Sequence, residues 1–124
     1  MKLTIFCGAS TGKHPMYRER ARELALWMSD NHHDLVYGGG KVGLMGVVAD
    51  SIIENGGTAI GVMPTFLKDR EIAHDYLTEL SVVDDMTKRK AKMMSLGQAF
   101  IALPGGPGPL EEISEVISWW RTNF

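Results

Sequence analysis

The sequence is poor in the features that would settle its class at once. A lone cysteine, Cys7, gives no disulfide framework and fits a reducing cytoplasm. In a strand-like run it reads as a small buried hydrophobe rather than a nucleophile. No apolar run is long enough for a membrane helix, and no charged-then-apolar leader opens the chain, so no membrane partner is expected. Neither sign of charge dominates, and a net charge of −2 gives no support for a nucleic-acid partner. His14, His32, His33 and His74 show no metal-ligand spacing on one helix face. His32-His33 falls at a helix end and reads as a dipole-friendly cap. No Ser-His-Asp or Cys-His arrangement can be argued from residue order. Repeats, low-complexity tracts and linkers are absent too, which predicts one domain over residues 1–124. The 44% hydrophobic and 23% charged content suffices for one ordinary core.

What is present is an alternation of periods. Residues 2–7 read as a first strand, followed by the loop Gly8-Ala9-Ser10-Thr11-Gly12. A helix is predicted over 15–31, with Pro15 in its first turn and Ala21, Leu24, Ala25 and Met28 on one face. A short strand over 34–37 runs into Gly38-Gly39-Gly40. A second helix opens near Gly43 with Leu44, Val47, Val48, Ser51 and Ile52 on one stripe, and Asn55-Gly56-Gly57 stops it. Residues 58–63 are a third strand broken by Pro64. A less regular connection then holds Phe66, Arg70, Glu71 and His74. A fourth strand over 80–83 precedes a helix capped by Asp84 or Asp85 and running to about residue 96. Most of the eight methionines read as core filler, Met45 and Met86 being set apart by lying beside motif residues. Strands alternating with helices predict a parallel α/β sheet, whose carboxyl edge carries the site.

The most informative stretch is 99–117. Ala99 to Leu103 is an apolar run of the kind buried on both faces of a parallel sheet. Pro104-Gly105-Gly106-Pro107-Gly108-Pro109 stops it, and helical spacing resumes at Leu110, Ile113, Val116, Ile117 and Trp120. Strand, glycine-rich turn and helix make an anion site, because the helix start offers N–H groups and a positive dipole end. It is not a Walker loop, since Pro109-Leu110 stands where Lys and Ser or Thr are required. Nor is it a G-x-G-x-x-G fingerprint, since Gly106-Pro107-Gly108 is followed by Pro109, Leu110 and Glu111. Glu111 and Glu112 in the first helical turn either complement the dipole or hold a carboxylate beside a bound phosphate ester. Upstream, Lys88, Arg89, Lys90 and Lys92 form either a solvated basic face or a phosphate clamp.

These residues resemble a known family. The run from Pro104 to Glu112 is similar to the P-G-G-x-G-T-x-x-E signature of the Lonely Guy (LOG) family, the cytokinin riboside 5'-monophosphate phosphoribohydrolases. Arg89-Lys90 resembles its R-K signature. Cys7-Gly8-Ala9-Ser10, Tyr37-Gly38-Gly39-Gly40, Val42-Gly43-Leu44-Met45-Gly46 and Gly61-Val62-Met63-Pro64 resemble further family segments, and Arg70-Glu71 falls where the family has an R-E pair. The resemblance implies a Rossmann-like, doubly wound parallel sheet in three α/β/α layers, and a homodimer with no metal or organic cofactor. It implies hydrolysis of the N-glycosidic bond of adenosine 5'-monophosphate or an N6-substituted form, to free base and ribose 5-phosphate. It casts Arg89 and Glu112 as the catalytic pair. Ser10, Gly39, Gly43, Met45, Glu71, Lys90, Gly105, Gly106 and Gly108 would contact substrate or phosphate. Relatives have often been labelled lysine decarboxylases, yet nothing marks a pyridoxal-phosphate lysine. Two departures stand out. Pro109 replaces the family's Thr, keeping the helix start but removing a hydroxyl and an N–H. The chain also ends at Phe124, where family members continue for a strand or two. The expected fold is therefore the family's without those strands, or one that a partner completes. Both departures favour the alternative function, a nucleotide-binding or carrier protein without turnover.

Overall fold

The computed structural model describes residues 1–6, 15–41, 43–68 and 73–102. The expectations for Cys7, Ser10, Glu71, Gly105, Gly106, Gly108, Pro109 and Glu112, and for the helix from Leu110, lie outside them. In chain order the elements are β1 (Lys2–Phe6), α1 (Pro15–Asp30), β2 (Asp34–Tyr37), α2 (Gly43–Glu54), β3 (Ala59–Pro64), α3 (Thr65–Lys68), β4 (Glu79–Val83), α4 (Met86–Leu96) and β5 (Ala99–Ala102). The strands form one parallel sheet in the order β4-β3-β2-β1-β5.

Side-chain alternation along the strands sorts the core into two layers. Leu3 and Ile5 of β1, with Leu35 and Tyr37 of β2, pack against Ala21, Ala25 and Met28 of α1 and Leu44, Val48 and Ile52 of α2. Phe6, Val36, Ile60 and Val62 point the other way and pack with Met93 of α4. Helices thus cover both faces, giving the doubly wound, three-layer α/β/α arrangement. β3 is buried along its whole length, as a central parallel strand should be. Thr4, fully buried, donates from Oγ1 to the Met93 carbonyl at 2.9 Å and ties β1 to the end of α4.

Asp85 caps α4, its side chain accepting from the Lys88 amide at 2.8 Å. α1 and α2 end alike. Beyond α1, the His32 and His33 amides donate to the Ser29 and Met28 carbonyls, with His32 at φ 57°. Beyond α2, the Gly56 and Gly57 amides donate to the Ile53 and Ile52 carbonyls, with Gly56 at φ 77°. Each is a Schellman closure with one residue in the left-handed region.

Two expectations need correcting. The connection after β3 is not irregular from its start: Pro64 stays in the strand opposite Val83, and Thr65–Lys68 forms one helical turn, with Thr65 Oγ1 donating to the Val83 carbonyl at 3.0 Å. Ala99, Phe100 and Ile101 of β5 are half-buried, not buried on both faces. Among the described residues β5 pairs with β1 alone.

Candidate functional site at the carboxyl edge

Every strand of a parallel sheet brings its carboxyl end to one edge, and ligands bind there where the strand order reverses. β1 lies between β2 and β5, so the reversal falls at β1. The chain following β1 and β5, residues 7–14 and 103–124, contains Ser10, the 104–109 turn and Glu112 outside the described residues. The described part of the edge is the loop after β2 and the start of α4.

Arg89 joins these two. From the first turn of α4 its Nε donates to the Val62 carbonyl at 2.9 Å, and its Nη2 to the Gly38 carbonyl at 2.8 Å. Its Nη1 lies 3.7 Å from Met86 Sδ. Two carbonyls from neighbouring strands fix the plane of the guanidinium, which a flexible surface arginine would not have. The basic run therefore divides. Lys88 is exposed and paired with Asp84 at 2.6 Å, which raises the Lys88 ammonium and lowers the Asp84 carboxyl relative to their ordinary pKa values, mainly through that hydrogen bond. Lys92 is exposed, whereas Arg89 and Lys90 are half-buried.

The triple glycine gives Arg89 its place. A Cβ on Gly38 would lie 2.1 Å from Arg89 Nη2, so a side chain there would push the guanidinium out of this position. Gly39 has φ 86°, a region that L side chains rarely adopt. All three loop carbonyls are engaged. Gly38 accepts from Arg89, Gly39 from the His74 amide at 3.0 Å, and Gly40 from the Tyr37 hydroxyl at 2.7 Å. Burial, helped by the nearby Asp50 charge, pushes the Tyr37 phenol above its ordinary range and keeps it a donor.

A second polar group stands on the α2 side. His74, 7% exposed, accepts from the Tyr76 amide at Nδ1 (3.1 Å). Its ring proton therefore sits on Nε2, which faces Asp50 Oδ1 at 2.5 Å. Next to it, exposed Lys41 pairs with Asp75 at 3.0 Å, and that hydrogen bond raises the Lys41 ammonium.

Of the sequence-derived candidates, Arg89 and Gly39 come together at this edge, and Lys90 follows Arg89 in α4. Gly43 opens α2 at φ 76°. Met45 is buried among the α1–α2 core residues. The sequence assigns no site role to Gly38, Tyr37, Asp50 or His74. The first two lie within a quoted motif, but Asp50 and His74 are 24 residues apart on different elements and carry no spacing signal. Among the described residues no three of His, Cys, Asp and Glu gather as a metal site, and no helix is long and apolar enough to cross a membrane.

These features define a class: a Rossmann-like, doubly wound α/β protein with a glycine loop and an anchored arginine at its carboxyl edge. The family model described as "Possible lysine decarboxylase" matches residues 45–124. Over 118 residues the chain is 48% identical to cytokinin riboside 5'-monophosphate phosphoribohydrolase LOG7 of Arabidopsis thaliana, covering 95% of this chain and 54% of that protein. It is 48% identical to the cytokinin riboside 5'-monophosphate phosphoribohydrolase of Rhodococcoides fascians, covering 94% and 60%. The molybdenum cofactor carrier protein of Chlamydomonas reinhardtii shares the fold with a TM-score of 0.81 at 20% identity, over 96% of this chain and 71% of that one. The chain belongs to the LOG family, the one whose model bears the lysine decarboxylase description. It spans between half and two-thirds of the length of these two curated relatives.

Proposed function

We propose that the protein hydrolyses the N-glycosidic bond of adenosine 5'-monophosphate or an N6-substituted form, acting as a cytoplasmic homodimer. Water adds at C1′ of the ribose while the bond from C1′ to the base nitrogen breaks. The oxygen stays on ribose 5-phosphate, and the base leaves with a proton from that water. The observation that carries this reading is Arg89, held by the Gly38 carbonyl just past β2 and the Val62 carbonyl of β3. A guanidinium fixed in this way can clamp phosphate or polarise the leaving base, but it does not give up a proton. Glu112 is proposed as the carboxylate that stabilises the ribosyl cation or activates water, by analogy with glycoside hydrolysis. Lys90, Gly105, Gly106 and Gly108 are proposed to hold the phosphate, and Ser10, Gly39, Gly43, Met45 and Glu71 to contact the substrate.

The decarboxylase description is not followed, because nothing in the sequence marks a pyridoxal-phosphate lysine. The runner-up is a nucleotide-binding or carrier protein without turnover. Two things favour it: Pro109 in place of the family's Thr, and the carrier proteins that share the fold.

Incubation with AMP and with isopentenyl-AMP, followed by chromatography of base and ribose 5-phosphate, separates the readings. The expected result is base release that Arg89→Ala and Glu112→Gln both abolish. AMP binding without release would overturn turnover and leave the carrier.

A further inference from the structure

His74 is a buried polar residue with no part in the chemistry just proposed, yet the glycine loop depends on it. The loop is gripped from both layers. Arg89 of α4 holds the Gly38 carbonyl, while His74, locked to Asp50 of α2, holds the Gly39 carbonyl through its amide. The contact continues where Gly40, the residue after Gly39, bridges Ala73, the residue before His74, in antiparallel register. The imidazole uses both nitrogens, one accepting from Tyr76 and the other meeting Asp50. A histidine fixed at three points is a rigid peg, and the backbone it pins adjoins the carbonyl that orients Arg89.

We propose that His74 is a positioning residue. With Asp50 it fixes residues 38–40 so that the Gly38 carbonyl holds the Arg89 guanidinium in its working plane. The proposal rests on the phosphoribohydrolase reading. Removing the imidazole breaks its contacts with the Tyr76 amide and the solvent-facing Asp50 carboxylate, lets the Gly39 carbonyl shift, and tilts Arg89 away from the plane set by Val62 and Gly38. Misplacement of a catalytic group by about 1 Å costs about 100-fold in rate.

The test measures kcat and KM for base release in the wild type, His74→Ala, His74→Gln, Arg89→Lys and His74→Ala/Arg89→Lys, with amide hydrogen exchange over residues 38–41. His74→Ala is expected to lower kcat about 10- to 100-fold with KM near the wild-type value. His74→Gln, whose amide reaches Asp50 as Nε2 does, recovers part of the loss. In the Arg89→Lys background His74→Ala costs much less, because a lysine cannot take both carbonyls and the two residues act through one geometry. Equal fold-losses in both backgrounds, or a lowered melting temperature with unchanged kcat, would overturn the proposal. A wild type that releases no base would sink the phosphoribohydrolase reading alone. Exchange then decides the positioning role: faster exchange at 38–41 in His74→Ala but not in His74→Gln supports it, and unchanged exchange overturns it.

Discussion

Tyr37 shows how much one hydroxyl does at this edge. It is the last residue of β2, 1% exposed, and its phenol reaches forward to the Gly40 carbonyl and closes the glycine loop on itself. Tyr37→Phe removes that bond at constant shape, and about 1 kcal/mol of stability should go with it near neutral pH. The phenol is raised in the folded state above its unfolded value of about 10. Its contribution is therefore whole below about pH 10 and is lost as pH rises, because the unfolded chain ionises first. That loss runs at up to about 1.4 kcal/mol per pH unit. Urea unfolding of both proteins from pH 7 to 11 should show the gap between them narrowing above pH 10. A constant gap would mean that the phenol ionises alike in both states.

The helices show which devices a sequence displays and which it hides. α1 and α2 close with the same hydrogen bonds, but α2 places Gly56 at the left-handed position and α1 places His32 there. Asn55-Gly56-Gly57 was readable as a stop because glycine adopts that conformation without cost. His32 reads as a helix-end cap, but nothing in it announces the left-handed conformation. An L side chain there costs about 1–2 kcal/mol, partly offset by glycine's greater freedom in the unfolded chain. His32→Gly, at an exposed site, should therefore stabilise the protein by about 0.5–1 kcal/mol, read as a higher midpoint in chemical denaturation. The same contrast explains the rest of the comparison. Core faces of α1 and α2, the cap at Asp84 or Asp85 and the alternation of elements follow from local spacing. The Thr65–Lys68 turn was hidden because Pro64 reads as a breaker, although a residue at a strand's last position has little ladder left to lose. At the site, Arg89 and Gly39 were legible from their motifs. The pairing of His74 with Asp50 was not, since it arises only when the chain after β3 returns to the loop after β2.

At the scale of the molecule, the sheet and the α4 layer meet at a point too narrow for one extra methyl. Gly97, just past α4, has φ −76° and ψ 141°, which alanine adopts freely. A Cβ there would nevertheless lie 2.1 Å from Thr4 Oγ1, the hydroxyl that holds the Met93 carbonyl. Gly97→Ala should therefore cost about 1–3 kcal/mol by overpacking, measured by guanidinium denaturation. Circular dichroism should show the helices intact in the native state. The sheet order has a further consequence, for how the chain is made. Leu3 pairs with Ala99, so one side of β1 waits for the end of the described chain while its other side is already paired with β2. A ribosome extending at about 5–20 residues per second exposes β1, β2, β3 and β4 before Ala99 emerges, and leaves that flank of β1 open for on the order of seconds. During that interval the nascent sheet is a half-closed template, with one edge of β1 open to pairing by another strand.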